Sequence, residues 1–168
     1  MGIYYFDTSA LLKRYVAEAG STWVRQVSTD QDLQTGLPLH EVMIGEVTRV
    51  EVAAAIAKKV AKTHEISTVE GDAAYQLFLS HAEADYGIVL LTSPLIRNAA
   101  ILARQHALRA YDALQLALAI HANALLKAND LALTFVAADK ALLQTAQSEG
   151  LATDSPHHHA DLDQQPSN

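Results

Sequence analysis

The stretch "IYYFDTSALLKRY", residues 3–15, joins a short apolar run to a polar one without any transition. Its first four residues are apolar and predict a short buried strand. Asp7, Thr8 and Ser9 follow at once, and all three side chains can accept hydrogen bonds from the free N–H groups that open a helix. The carboxyl ends of strands are also where α/β proteins bind ligands. The stretch therefore predicts a strand followed by a helix, and it leaves Asp7 either as a helix cap or as part of a site.

Composition limits the classes of protein to which the chain can belong. Its 168 residues suit one domain with a core of its own, and half of them are apolar. No cysteine is present, which excludes thiol catalysis, thiolate metal sites and disulfides. The net charge of −7 argues against a broad, non-specific coat of nucleic acid, although it leaves room for a local basic rim. With neither a secretory signal nor a membrane span evident, we expect a cytoplasmic protein without a membrane partner.

Further along the chain, apolar strands alternate with helical segments. We predict strands at 3–6, 40–47, 88–91 and 133–139, and helices at 10–19, 21–27, 49–62, 68–84, 93–106, 111–128 and 140–149. Thr48 is expected to cap the third helix. This alternation predicts an α/β fold with a central parallel sheet and helices on both of its faces, a three-layer α/β/α arrangement.

Four acidic residues stand at the ends of predicted elements. Asp7 and Asp139 each end a strand, so a parallel sheet places both at its carboxyl edge. Glu51 lies in the first turn of a helix of Ala, Val and Ile, and Asp112 opens an almost wholly apolar helix. Capping and complementation of the helix dipole are structural roles that would suit each of them singly. Four such acids entering from separate elements can also converge on one site.

A cluster of carboxylates has a definite chemistry. The acids would raise one another's pKa unless a cation were present, and hard oxygen ligands favour Mg²⁺ or Mn²⁺ over Zn²⁺. Such a metal site suits phosphodiester hydrolysis. Neither a Ser/His/Asp triad nor a glycine-rich phosphate loop is evident in the sequence. The scattered histidines are interpreted as structural or surface residues.

Four motifs resemble those of PIN-domain ribonucleases, and specifically the VapC-type toxins of toxin–antitoxin pairs: "YFDTSALLKRY", "TRVEVAAAI", "LRAYDALQLALAI" and "FVAADKALLQTAQSEGL". Together they span residues 3–151. The resemblance implies a catalytic, metal-binding set of Asp7, Glu51, Asp112 and Asp139. Asp7 and Asp112 would be the more direct ligands of Mg²⁺ (or Mn²⁺), and the other two would act through waters or a second ion. Glu46 is the alternative to Glu51, which we prefer because of the small-residue, Lys-bearing helix that follows it.

The same resemblance implies a reaction and partners. The reaction is metal-dependent endonucleolytic cleavage of RNA by an activated water, with Thr8 or Ser9 supporting Asp7 or a metal-bound water. The partners are the RNA substrate, a small DNA-binding antitoxin and a second copy of the chain in a homodimer. Candidate phosphate contacts near the acids are Lys13, Arg14, Lys58, Lys62, Arg109 and Lys140.

The last residues have a different composition. We expect a PIN domain over residues 1–152 and a disordered polar tail over 153–168, because "TDSPHHHADLDQQPSN" lacks apolar periodicity. Its three histidines, 157–159, are interpreted as solvated residues rather than a metal site.

Two rival functions remain open from the residues. A haloacid-dehalogenase-like phosphatase also places an Asp after its first strand, but it needs a second acid two residues later, where this chain has Ser9. A non-catalytic PIN-like module that binds RNA or protein, with acids that only cap helices, is the second rival. Metal binding separates this module from an enzyme, because capping does not require Mg²⁺.

Overall fold

A single parallel sheet forms the centre of the molecule. The computed structural model describes residues 2–164, and its five strands run parallel in the order β3-β2-β1-β4-β5. The strands are β1 (Gly2–Phe6), β2 (His40–Gly45), β3 (Gly87–Val89), β4 (Leu133–Val136) and β5 (Ala152–Asp154). The chain builds the sheet outward from β1 to β3 and then returns to the other side of β1. The boundary between β1 and β4 is therefore the topological switch point, where folds of this class bind ligands.

Helices connect the strands and cover both faces of the sheet. Within residues 2–164 the α-helices are α1 (Thr8–Leu11), α2 (Ser21–Thr29), α3 (Thr48–Ala61), α4 (Thr68–Ala84), α5 (Ser93–His106), α6 (Ala110–Lys127) and α7 (Lys140–Ser148). None of the helices in this part of the chain combines the length and the apolarity needed to cross a membrane.

Two hydrophobic cores lie on opposite faces of the sheet, because neighbouring strand residues point to opposite sides. Tyr5 belongs to the core formed with α5, α6 and α7. Phe6 belongs to the core formed with α1 to α4. The predicted three-layer α/β/α architecture is confirmed. Helix α6 is the most deeply placed: its residues from 115 to 119 are all buried, so its apolarity is that of a core helix.

The first helix is shorter than the sequence predicts. Helix α1 ends at Leu11 and continues only as a 3₁₀ turn, Leu12–Arg14. Beyond it, the backbone N–H of Glu18 donates to the hydroxyl of Ser21 at 2.9 Å instead of to a helical carbonyl. A hydrogen bond to a nearby side chain thus replaces the helical hydrogen bond that the alanines favour. Ser side chains commonly compete with helical hydrogen bonding in this way.

The expectation of a disordered tail is wrong for residues 153–164. Strand β5 pairs with β4, and a 3₁₀ segment, Pro156–Gln164, packs on α2. The imidazole of His159 stacks on the indole of Trp23, with ring centroids 4.3 Å apart. The Asp163 carboxylate accepts hydrogen bonds from the N–H groups of Gly20 and Thr22, at 2.6 and 2.9 Å. The prediction rested on polar composition, but these polar groups bind specific partners within the fold. Residues 165–168 of the predicted tail lie outside the described residues.

Asp163→Ala should release this C-terminal segment from α2. The carboxylate supplies the cap that α2 lacks locally, because Gly20 in the N-cap position has no side chain. Loss of a cap costs about 1 kcal/mol of stability. Trp23 is the single tryptophan, so its emission should change as the stacking with His159 loosens. Thermal unfolding and tryptophan fluorescence measure the two effects. Asp161→Ala, an exposed acid of the same segment, is the control. Equal behaviour of the two variants would contradict a capping role for Asp163.

Candidate active site

Asp7 lies at the switch point of the sheet. Its side chain is buried, with 6% of its surface exposed. Oδ1 accepts hydrogen bonds from the backbone N–H of Ala10 at 2.9 Å and from the Ser9 hydroxyl at 2.7 Å. The Ser9 hydroxyl also accepts a bond from the N–H of Ala138, 2.8 Å away, beyond the end of β4. Asp7 therefore caps α1, and Ser9 holds the ends of β1 and β4 together beside it.

Glu51 faces the same region from the first turn of α3. Its Oε2 accepts hydrogen bonds from the Thr8 hydroxyl at 2.8 Å and from the Gln115 amide at 2.5 Å. The same amide donates to the hydroxyl of Thr48 at 2.9 Å. Thr48 makes no side-chain capping bond for α3, so its predicted role as a cap is wrong. Thr8 supports Glu51, whereas Ser9 supports Asp7.

Asp139 and Asp112 occupy the other two element ends. Asp139 caps α7, with Oδ1 accepting from the N–H of Leu142 at 2.9 Å. Asp112 lies in the first turn of α6, where Arg109 occupies the N-cap position instead. Asp112 accepts no hydrogen bond within residues 2–164, so capping does not explain it.

Charges of neighbouring acids raise the pKa values of Asp7, Glu51 and Asp112. Burial raises the pKa of Asp7 to about 7 although the hydrogen bonds from Ser9 and Ala10 lower it, and the charges of Glu51 and Asp112 raise it further. Burial also raises the pKa of Glu51, and the charge of Asp112 adds to the effect. The pKa of Asp112 is raised by burial and by the charge of Asp139. The structure thus brings Asp7, Glu51 and Asp112 within electrostatic reach of one another, and Asp139 within reach of Asp112.

The carboxylates share a pattern of hydrogen bonding. Within the described chain, Asp7, Glu51 and Asp139 each use a single oxygen to accept bonds, which leaves the second oxygen without a protein donor. No set of three or more His, Asp or Glu side chains is already arranged as a metal site in residues 2–164. Asp7 is buried, Glu51 and Asp112 are half-buried and Asp139 is exposed. Carboxylates whose charges raise one another's pKa, as those of Asp7, Glu51 and Asp112 do, nevertheless suit a hard divalent cation, which would compensate their charge.

Two of the predicted RNA contacts are used inside the protein. The Lys13 side chain is 3% exposed, and its Nζ binds Glu18 at 2.9 Å. The Arg14 side chain is 7% exposed and donates to the hydroxyl of Tyr86 at 2.5 Å. Neither can meet a phosphate without breaking these contacts, so the structure does not favour their predicted role as RNA contacts. Sequence proximity to Asp7 suggested that role, but the 3₁₀ turn directs both side chains into the fold.

The remaining basic candidates are accessible. Four of the predicted RNA contacts are exposed to solvent: Lys58, Lys62, Arg109 and Lys140. Arg109 is close enough to Asp112 for its charge to oppose the increase in that residue's pKa. Arg109 and Lys140 begin α6 and α7, the same helices whose first turns hold Asp112 and Asp139. These two give the acidic site a positive edge.

Sequence reasoning missed the amide in the middle of this network. Gln115 is 1% exposed and lies one helical turn beyond Asp112. Its Oε1 accepts from the hydroxyl of Tyr5 at 2.7 Å, so a residue assigned only to strand β1 also takes part. The available signal was a single amide among apolar residues in "YDALQLALAI". Nothing in the spacing showed which face of the buried helix that amide occupies.

Residues 4–151 match the family model described as the PIN domain. The matched region includes all four acids, most of β1, and strands β2, β3 and β4. The chain belongs to the PIN-domain family, whose members are generally nucleases. A comparison with curated protein sequences finds no match.

Solved structures of similar fold support the architecture. The structure of PAE2754 from Pyrobaculum aerophilum aligns with a TM-score of 0.57 and 17% identity, over 98% of each chain. The structure of VapBC-1 from nontypeable Haemophilus influenzae aligns with a TM-score of 0.55 and 11% identity, over 92% of this chain and 98% of that one. At such identities the likeness is one of fold.

Proposed function

We propose that the protein is a metal-dependent endoribonuclease that hydrolyses RNA phosphodiester bonds at the Asp7, Glu51, Asp112 and Asp139 site. The observation that supports this proposal is the electrostatic proximity of Asp7, Glu51 and Asp112, with Asp139 in reach of Asp112. Within residues 2–164, Asp7, Glu51 and Asp139 each keep one oxygen free of protein donors. Helix capping accounts for Asp7 and Asp139 but not for Glu51 or Asp112. Membership of a family of nucleases supports the same reading.

The chain's own residues have distinct parts in this site. Asp7 and Asp112 would hold Mg²⁺ or Mn²⁺ most directly, and Glu51 and Asp139 would hold it through waters or a second ion. The bound cation would activate water, neutralise the phosphate and stabilise the leaving oxygen. Ser9 orients Asp7 and Thr8 orients Glu51 by the hydrogen bonds described above. Arg109 and Lys140 at the edge of the site would position the RNA backbone through its phosphates.

We also propose that the enzyme is a toxin, homodimeric and neutralised by a small DNA-binding antitoxin. The motif resemblance to VapC-type toxins supports this, as does the fold likeness to the VapBC-1 structure. Expression of the protein alone should arrest growth, and co-expression with a small DNA-binding protein that binds it should restore growth. Absence of growth arrest by the active protein would remove the toxin role while leaving the nuclease role intact.

The nuclease proposal is tested on a pool of total cellular RNA. The purified protein is incubated with Mg²⁺ or Mn²⁺ and, separately, with EDTA. We expect discrete cuts that require the cation and that disappear in the Asp7→Asn variant. Asp72→Asn, which removes an equal charge from the exposed side of α4, is the matched control and should cut like the wild type.

Two outcomes would overturn the proposal. Cuts that persist in EDTA or in Asp7→Asn would come from another nuclease or another site. A protein that neither cuts RNA nor gains thermal stability from Mg²⁺ or Mn²⁺ would be the non-catalytic binding module, because a ligand that binds only the folded state must stabilise it.

Arg109→Ala should weaken RNA binding without affecting the fold. The side chain is exposed, so its loss removes one phosphate contact and reduces the slope of log affinity against log salt by about one. Lys127→Ala, at the opposite end of the same helix, is the control. Arg109→Ala and Lys127→Ala are each made in the catalytically silent Asp7→Asn protein, and RNA binding by both is measured at several salt concentrations to give the two slopes. Identical slopes for the two variants would exclude Arg109 from the RNA path.

A further inference from the structure

Gln115 is a polar side chain in the most apolar helix of the protein. Its neighbours in α6, Leu114, Leu116 and Ala117, are all apolar, and the residue itself is almost fully buried. A leucine would suit such a position at lower desolvation cost, because a buried amide stabilises nothing unless its hydrogen bonds are all made. The position of Gln115 therefore calls for a reason beyond packing.

The hydrogen bonds of Gln115 fix which end of its amide faces Glu51. The amide nitrogen lies 2.5 Å from Oε2 of Glu51 and 2.9 Å from the hydroxyl of Thr48. The amide oxygen accepts from the hydroxyl of Tyr5. A carboxylate needs a donor, so the nitrogen must point to Glu51, and Tyr5 holds the oxygen on the other side. Both amide hydrogens and the oxygen are thereby used.

The backbone of β2 leaves room for this network. A Cβ added at Gly45 would lie 2.6 Å from the hydroxyl oxygen of Tyr5 and 3.3 Å from Oε1 of Gln115. Any larger residue would push these two groups apart. The strand next to β1 thus has its smallest residue where the Tyr5–Gln115 bond is made.

The two donors to Glu51 converge on one of its oxygens. Thr8 and Gln115 both donate to Oε2, and Oε1 accepts no hydrogen bond within residues 2–164. A carboxylate fixed by two bonds at one oxygen has little freedom to rotate, and its other oxygen is kept for a ligand. Partners of this kind, which hold a metal ligand by hydrogen bonds, commonly set the affinity of the metal.

We propose that Gln115 is a positioning residue of the metal site, which with Tyr5 behind it and Thr8 beside it holds Oε2 of Glu51 so that Oε1 is presented to the cation. The inference rests on the proposed metal-dependent function. Gln115 itself touches neither cation nor RNA; it acts through Glu51.

Binding of Mn²⁺ alone to the full chain tests the proposal without recourse to activity. Gln115→Leu preserves bulk and removes all the hydrogen bonds of the amide, including the one to Glu51. We therefore expect Mn²⁺ affinity, measured by calorimetry or by the Mn²⁺ paramagnetic resonance signal, to fall by about tenfold or more. RNA cleavage should fall at limiting Mn²⁺ and recover in part when Mn²⁺ is saturating. Asn123→Leu is the matched control, because Asn123 is another buried amide of α6 and bonds only to the N–H of Leu133, at 3.2 Å.

A double-mutant cycle distinguishes positioning from general damage to the core. In a Glu51→Gln background the Gln115→Leu change should weaken Mn²⁺ binding little further, since the group through which it acts is already lost. Should Gln115→Leu fail to fold, Tyr5→Phe removes only the hydroxyl behind the amide, and a severalfold weakening of Mn²⁺ binding is expected from one lost hydrogen bond.

Each result has a separate meaning. Mn²⁺ affinity of Gln115→Leu equal to that of Asn123→Leu, with a wild type that binds Mn²⁺ and cuts RNA, would overturn the positioning role alone. Additive losses in the double-mutant cycle would do the same. A wild type that binds no Mn²⁺ would overturn the metal site itself, and the role of Gln115 with it.

Discussion

Asp7→Asn is expected to abolish RNA cleavage and, at the same time, to stabilise the metal-free protein above neutral pH. Loss of a direct metal ligand should slow cleavage by about a hundredfold or more, because metal-based stabilisation of a transition state is worth several kcal/mol. The opposite effect on stability follows from the burial of the carboxylate. Asparagine keeps an oxygen for the N–H of Ala10 and the hydroxyl of Ser9, but it has no charge to desolvate.

The direction of the pH effect follows from the pKa of Asp7. Burial raises that pKa from its ordinary acidic value to about 7, so between these values the folded protein holds a proton that the unfolded chain has released. Asp7 should therefore lower the free energy of unfolding of the metal-free wild type as pH rises from about 4 to about 7, with a contribution of at most about 4 kcal/mol. Asp7→Asn should lack this decrease and be the more stable protein at about pH 8.

Urea unfolding at several pH values, with EDTA and then with Mg²⁺, measures this effect. Mg²⁺ should restore the stability of the wild type at high pH and leave Asp7→Asn almost unchanged, since a cation that binds only the folded protein stabilises it. Asp72→Asn should follow the wild type throughout. A lower stability of Asp7→Asn at about pH 8 without metal would mean that the Asp7 charge is compensated within the protein, contrary to the site proposed here.

Removal of Glu18 is expected to destabilise the protein more than removal of the lysine with which it pairs. Lys13 is buried, and Glu18 binds it through Oε2 while binding Lys59 through Oε1, at 2.9 and 2.7 Å. Burial alone would raise the pKa of Glu18, but the hydrogen bonds and charges of the two lysines outweigh it and lower that pKa. Glu18→Ala leaves the Lys13 ammonium buried without a counter-charge, at a cost of about 2 to 3 kcal/mol, the lower part of the usual range because Glu18 is partly exposed.

Lys13→Met should cost less than about 1 kcal/mol, because an apolar side chain of similar length suits the buried position and Glu18 retains Lys59. Glu65→Ala, which removes another partner of Lys59, is the control: Glu65 is exposed, so its removal should reduce stability much less than the removal of Glu18. Thermal or urea unfolding compares the three variants. Glu18 stabilises the protein only in its ionised form. The difference in the free energy of unfolding between wild type and Glu18→Ala should therefore shrink as pH falls through the lowered pKa of Glu18. Equal losses of stability in Glu18→Ala and Glu65→Ala would contradict a structural role for Lys13. Weaker RNA binding by Lys13→Met than by the wild type would show that Lys13 contacts RNA after all.

Much of the architecture could be predicted because it depends on local patterns. Strands of four to six apolar residues separated by helical segments allow few arrangements other than a parallel sheet with helices on both faces. The acids could be located for the same reason: Asp7 and Asp139 follow strands, and parallel strands end at one edge. The helix that begins after Ser67 was predictable from its cap, and the structure has both bonds of the capping box with Glu70.

The differences from the sequence-based expectations concern side chains whose partners no local pattern indicates. Lys13 and Arg14 follow Asp7 closely and resemble RNA contacts, yet Glu18, five positions on, and Tyr86, 72 positions on, hold them inside the fold. The segment after residue 152 has the composition of a disordered tail, yet Asp163 binds a helix end more than 140 positions away. Composition cannot reveal such bonds, because each depends on a partner that only folding brings near.

The sequence by itself determined the order of the α-helices and of the first four strands, their parallel sheet and the identity of four acids at element ends, since hydrophobic periodicity and capping act over a few residues. Strand β5, in a polar segment, was not among the predicted strands. Only the tertiary structure decided how those acids are held. Gln115 of α6 reaches Glu51 of α3 and Tyr5 of β1 across 64 and 110 positions of sequence. Hydrogen bonds between such distant groups depend on the packing of three elements at once, and no local pattern in the chain encodes that packing.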